Sequence, residues 1–202
     1  MAVKFLIATT NPNKVREILP LLDGLDVELV TLADFDPIPE PEETGATFWE
    51  NARIKALAYA TATGMTAIAE DSGLEIDSMG GEPGVYSARF MGVNTSYPDR
   101  FVEIFRRLDR HPRDARFTTA LAVARGHEIL FETETSVAGE IAHAASGEHG
   151  FGYDPIFFYR PFNVTTAQLP DRDKAVISHR ARAFRDLRRW LTTLSFRTTA
   201  QS

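Results

Sequence analysis

Glu70 and Asp71 stand side by side after the short apolar run from Thr66 to Ala69, and Ser72-Gly73 follows as an expected turn. Glu75 and Asp77 lie just beyond, ahead of a glycine-rich loop (Gly80 to Gly84) that leads to Arg89. Carboxylates at the end of a buried strand are costly to desolvate unless a cation pairs with them. The cluster therefore points to a metal ion or a positively charged cradle, and so to a phosphate-bearing ligand handled through Mg²⁺. Asp71 could also accept a proton from an attacking water. The plainer alternative makes Asp71 a turn acid capping Gly73.

Other segments carry groups of a matching kind. Thr9-Thr10-Asn11-Pro12-Asn13-Lys14 joins a strand to a helix. Its backbone N–H groups and the helix N-terminus would favour an anion, and Lys14 adds a full charge. It lacks the Gly-x-x-x-x-Gly-Lys spacing of a Walker loop, and an ordinary capped turn explains it equally well. Between Glu42 and Lys55, Glu50 fits a capping role, while Asn51 and Lys55 share a helix face. Taken alone, Glu42 and Glu43 are solvated loop acids.

Lys174 to Arg180 supplies cations and a Ser178-His179 pair, but with no assigned acid this is no serine triad. In Phe151-Gly152-Tyr153-Asp154 an aromatic could stack on a base while Asp154 accepts hydrogen bonds. The competing reading is a structural glycine–aromatic loop whose exit Pro155 fixes.

The elements that must position these groups alternate. Val3 to Ala8 predicts a strand, and Val15, Ile18, Leu19 and Leu22 predict a helix capped by Asn11 and Pro12 and closed by Gly24. Val27 to Leu32 is a second strand, and an acidic, proline-rich loop spans Asp34 to Glu43. Thr47-Phe48-Trp49-Glu50 has the capping-box pattern and opens a helix to about Gly64. Thr66 to Ala69 is the strand that delivers the paired acids. Phe101, Ile104, Phe105 and Leu108 mark another helix, and 116–124 with 128–137 form a hairpin. Ile156 to Tyr159 is a short apolar run. A single last helix starts near Lys174, with Ile177, Phe184, Leu187, Leu191 and Leu194 on one stripe, and Phe196 to Ser202 is a frayed tail. The fold class is α/β: a mixed, twisted sheet flanked by helices, with two lobes and a cleft between them.

At 202 residues the chain can bury one sizeable core, as a single domain or two closely packed lobes. A net charge of −6 argues against non-specific nucleic-acid binding, which rests on phosphate neutralisation. The absence of cysteine excludes disulfides, thiolate metal sites and a cysteine nucleophile. The opening apolar run is too short for a signal sequence, and no stretch is long enough to span a membrane, so a cytoplasmic location is expected.

Taken in order along the chain, the segments resemble the Ham1-like family of inosine/xanthosine triphosphate pyrophosphatases. The resemblance runs from Thr9 to about Leu191. It is carried by Thr-x-Asn-x-x-Lys at 9–14, Glu-Thr-Gly-x-Thr-Phe-x-Glu-Asn-Ala at 43–52 and Asp-Ser-Gly-Leu at 71–74. Gly-Gly-x-Pro-Gly-x-Tyr-Ser-Ala-Arg at 80–89, Phe-Gly-Tyr-Asp-Pro at 151–155 and Ser-His-Arg at 178–180 complete it. It implies an elongated ITPase-like fold with a substrate cleft, a homodimer, and Mg²⁺-dependent hydrolysis of ITP, dITP and XTP to monophosphate and pyrophosphate.

Carried over by position, the resemblance makes Asp71 the proton acceptor and, with Glu43, a metal ligand. It makes Thr9, Asn11, Lys14, Ser72 and Lys174 nucleotide contacts; Thr10, Pro12 and Asn13 of the same loop, and Lys55 as a charge-offsetting lysine, are further candidate substrate contacts. Phe151, Gly152, Tyr153 and Asp154, with His179 and Arg180, would hold the base. The chain departs from the family at Glu70, where a second aspartate is common, and at Arg172-Asp173-Lys174, where Glu-Glu-Lys is common. A pyrophosphatase for modified pyrimidine nucleotides, or a non-catalytic nucleotide-binding or RNA-associated regulator, would use similar loops. The acidic balance counts against RNA.

Overall fold

The computed structural model describes residues 3–199. The strands are β1 (Val3–Ile7), β2 (Val27–Thr31), β3 (Thr66–Ile76), β4 (Asp114–Arg125), β5 (Glu128–Ile141), β6 (Phe157–Tyr159) and β7 (Val164–Thr165). They form one mixed sheet of seven strands in the order β2-β1-β3-β4-β5-β6-β7. β1 runs parallel to β2 and β3, with Phe5 opposite Leu29 on one side and Thr66 on the other. β6 pairs antiparallel with β5 and with β7.

The chain divides into two compact units. One holds the residues up to Asp71, Thr119–Thr135 and the chain from Arg180 onward; the other holds Ser72–Thr118 and Ser136–His179. In the first, α1 (Pro12–Leu22) buries Ile18 and Leu22 against Phe5, Ile7 and Ile68 of the strands. Phe184 and Leu187 of α5 (His179–Thr199) join the same core. α2 (Phe48–Thr63) begins with the expected capping box, Thr47 accepting from the Glu50 N–H, and ends at Gly64 with φ +69°. That left-handed cap suits glycine because a Cβ is penalised there.

In the second unit, α3 (Tyr97–Arg107) packs Phe101 and Ile104 onto Leu74, Ile76, Phe117, Val137 and Phe157. The remaining helix, α4 (Asp171–Ile177), is short.

The structure corrects two expectations. Ser72-Gly73 is not a turn: β3 continues through it to Ile76, so Glu70 and Asp71 lie in mid-strand. The continuation is held by Leu74, whose N–H donates to Ser87 Oγ at 2.9 Å, and by burial of Leu74 and Ile76 in the second core. The expected last helix is two, α4 and α5, broken at an extended Ser178 (φ −63°, ψ 151°). Periodicity misses this break because buried residues continue on either side of it, Ile177 before and Ala181 after. The helical backbone of α5 reaches Thr199, and the rest of the expected frayed tail, residues 200–202, lies outside the described residues, as does the Leu194 side chain.

Candidate active site

Successive side chains of a strand point to opposite faces. Glu70 and Asp71 therefore make different ion pairs, while the charges of Lys14 and Lys55 act on both.

Asp71 faces α2. Lys55 Nζ lies 2.9 Å from Asp71 Oδ1 and 2.7 Å from Glu43 Oε1, so two carboxylates from separate segments converge on one ammonium. Asn51, one turn before Lys55 and fully buried, donates from Nδ2 to Asp71 Oδ2 at 3.3 Å. Its Oδ1 accepts the Gly45 N–H at 2.8 Å. The shared face of Asn51 and Lys55 is thus the face that grips Asp71 and the loop carrying Glu43.

Burial opposes the charge on Lys55, but Asp71 and Glu43 outweigh it and hold the ammonium above its ordinary value. Burial raises the Asp71 carboxyl, and the neighbouring Lys55 and Lys14 only partly offset this. A carboxylate so shifted is a better proton acceptor than a solvated one.

Glu70 faces the other way. Its Oε1 takes Lys14 Nζ at 3.0 Å and Arg180 Nε at 3.1 Å, and Arg180 Nη1 reaches Glu17 Oε2 at 2.5 Å. Glu70 and Arg180 are both buried. Burial alone would raise the Glu70 carboxyl, but Arg180, Lys14 and Lys55 prevail and hold it well below the usual glutamate range. Lys14 is lowered by its own burial, with Glu70 acting against the shift. Among the described residues Glu70 Oε2 is a buried atom without a hydrogen-bond partner, which leaves one lone-pair edge of this carboxylate open to a further donor.

Arg180 is therefore seated among carboxylates, in a role the sequence reading did not give it. Glu17 was missed altogether; its position one turn along α1 from Lys14 was the signal that both reach the same place.

Thr9 to Asn13 form a capped turn. Thr9 Oγ1 accepts the Asn11 N–H at 3.2 Å, Asn11 Oδ1 accepts the Asn13 N–H at 2.9 Å, and Pro12 opens the helix. Thr10, exposed, donates to Glu40 Oε1 at 3.2 Å.

The second unit holds the other expected contacts. Asp154 is buried and accepts from Lys174 Nζ at 2.5 Å, the Phe151 N–H at 2.7 Å and Thr166 Oγ1 at 2.8 Å. The carboxylate expected to meet a base is thus engaged by its own chain. Lys174 Nζ also lies 5.3 Å from the centre of the Phe151 ring. Gly150 (φ +72°) makes this possible, because a Cβ there would fall 2.2 Å from Asp154 Oδ2.

Tyr153 is a core residue: its ring packs edge-on to Tyr97 at 5.2 Å and its hydroxyl donates to the Ser87 carbonyl at 2.9 Å. Phe151, half-buried, is left as the aromatic suited to stacking. Gly152 holds φ +64° between these aromatics. Ser72 is half-buried within β3, and the buried His179 ring stacks on Phe117 at 4.8 Å.

Mg²⁺ takes one or two protein carboxylates and completes its shell with water and substrate phosphates. Glu43 and Asp71 fit that donor set, since their oxygens already converge on a cationic group. Among the described residues no group of three or more His, Asp or Glu is placed to cage a metal. The loop that carries Glu43 has little slack. A Cβ on Gly45 would sit 2.6 Å from Glu50 Cβ and 2.7 Å from Asn51 Oδ1. Gly45→Ala is expected to cost about 1–3 kcal/mol in a thermal melt and at least tenfold in turnover, because the loop must shift with Glu43 on it. Wild-type turnover in that variant would remove Glu43 from the site.

Residues 5–190 match the model described as the Ham1 family. A dITP/XTP pyrophosphatase of Thermus thermophilus is 46% identical over 189 residues, covering 92% of this chain and 90% of that protein. One from an Exiguobacterium species is 41% identical over 186 residues, covering 92% and 95%. Among solved structures, a HAM1 protein from Coxiella burnetii superposes with a TM-score of 0.88 at 36% identity, covering 95% of this chain and 99% of that one. Among the described residues no helix is long and apolar enough to cross a membrane.

Proposed function

The chain belongs to the Ham1 family, and from that membership we propose that it hydrolyses the non-standard purine nucleoside triphosphates ITP, dITP and XTP to monophosphate and pyrophosphate. It is a hydrolase acting on phosphoanhydride bonds. The observation that carries the proposal is the convergence of Glu43 and Asp71 on Lys55, beside the Lys14–Glu70 pair.

In the proposed reaction Asp71 orients a water and takes its proton as the oxygen attacks the α-phosphorus, and pyrophosphate leaves. Lys14 and Lys55 offset the charge of the triphosphate and of the leaving group. Bound at Glu43 and Asp71, Mg²⁺ would supply further neutralisation of phosphate oxygens. Phosphoryl transfer asks little covalent chemistry of a protein, so positioning and charge carry most of the acceleration. Glu70 and Arg180 keep Lys14 in place.

Base selection is assigned to His179 and to the Phe151 face. A ring N–H of His179 pairs with the C6 carbonyl of hypoxanthine or xanthine and meets the amino donor of adenine unproductively. Lys174, salt-bridged to Asp154 and lying over Phe151, belongs with this set rather than with the charge-offsetting lysines.

The test is product identification after incubation with ITP and Mg²⁺. IMP and pyrophosphate are expected, with ATP turned over more slowly by roughly 10⁴ or more. Release of IDP and inorganic phosphate, or comparable rates with ATP, would overturn the proposal.

A further inference from the structure

His179 opens α5, and an imidazole that must aim one N–H at a carbonyl needs its ring plane fixed. Hydrogen bonds weaken steeply once the donor angle falls below about 120°, so a freely rotating ring discriminates poorly. In this chain another ring lies flat against it. Phe117 of β4 lies 4.8 Å from the His179 ring with only 16° between the planes, a near-parallel stack. Phe117 is itself 4.3 Å from Phe157 at 39°. All three rings are buried.

Space for this stack comes from β5. A Cβ on Gly139 would fall 2.6 Å from Phe157 Cζ, 2.8 Å from its Cε1 and 2.7 Å from the Phe158 carbonyl oxygen. Only hydrogen at that position lets the Phe157 ring lie where it does. The contacts therefore run from Gly139 through Phe157 and Phe117 to His179, across residues far apart in sequence and without charge.

We infer that Phe117 is a positioning residue for base selection: its ring fixes the plane of the His179 imidazole and thereby sets the preference for a C6 carbonyl over a C6 amino group. The inference rests on the reading of His179 as the base-facing donor. Phe117 touches no substrate in this scheme and acts only through His179, with Phe157 and Gly139 holding it in register. Leucine at 117 fills much of the volume but offers no flat face, so the imidazole gains rotational freedom.

The measurement is the ratio of kcat/KM for ITP to that for ATP, which does not depend on the fraction of folded enzyme. His179→Ala is the reference and is expected to collapse the ratio. Phe117→Leu is expected to lower it by about tenfold or more, chiefly by raising KM for ITP, and Phe117→Tyr to retain it. Phe117→Met takes the place of the leucine variant if that one fails to fold. If His179→Ala collapses the ratio while Phe117→Leu leaves it at the wild-type value, the role of Phe117 is refuted and that of His179 stands. If His179→Ala leaves the ratio unchanged, the base-reading role falls and this inference falls with it.

Discussion

Asp71→Asn is expected to lower turnover of ITP by roughly 10²–10⁴-fold while leaving the melting temperature within a few degrees of wild type. The amide keeps the size of the side chain but cannot accept the proton that water must lose. Stability is spared because two effects oppose each other. Lys55 loses one carboxylate but keeps Glu43 at 2.7 Å, and a buried group that was costly to ionise becomes neutral.

The pH profile adds an independent check. A base must be deprotonated to act, and burial raises the Asp71 carboxyl above its ordinary 3.8. Wild-type kcat/KM should therefore fall on the acid side as Asp71 takes up its proton. The residual activity of Asp71→Asn should lack this limb. Steady-state rates from pH 4 to pH 8, with a melt at each point to exclude unfolding, decide the matter. Near-normal turnover by the variant would remove Asp71 as the proton acceptor.

The elements were largely legible in the chain because their signals are local. Thr47 and Glu50 announce the start of α2 through their own capping bonds, and Asn11-Pro12 announces α1 in the same way. What escaped depends on residues distant in sequence. Ser72-Gly73 has the composition of a turn, yet Ser87 holds Leu74 in the strand from the other side of the glycine loop. Ser178 breaks a helix whose apolar stripe shows no gap.

The site divides along the same line. Asp71 stood out by residue type and position and Lys55 by the helix face it shares with Asn51, whereas Glu43 was singled out only through the family resemblance; the three do converge. The role of Arg180 could not be read beside His179, because its partners Glu17 and Glu70 lie 163 and 110 residues before it in the sequence. Asp154 carries the chemistry of a ligand contact, but only the fold reveals that Lys174, Phe151 and Thr166 occupy it.

Arg180→Met should destabilise the protein by about 3–5 kcal/mol, read as a loss of melting temperature or of denaturant midpoint. The guanidinium joins Glu70 to Glu17, and methionine leaves Glu70 buried with only the Lys14 cation at 3.0 Å. An uncompensated buried carboxylate is the costly species, so the double variant Arg180→Met/Glu70→Gln should recover part of the loss. Arg180→Lys should fall between, since one ammonium cannot span two carboxylates as a guanidinium fork does.

The pH dependence carries a definite sign. The folded Glu70 carboxyl is held below the ordinary 4.5, so its stabilising contribution is fully present above that value. It is lost progressively as the pH falls below it. Asp71 is shifted the other way, and its own contribution declines as the pH rises through its raised value. Glu70→Gln should therefore flatten the acid arm of the stability curve, whereas Asp71→Asn should not. If Arg180→Met melts with wild type and Glu70→Gln leaves the acid arm unchanged, the buried network does not hold Lys14 in place, and the phosphate end of the proposed site loses its support.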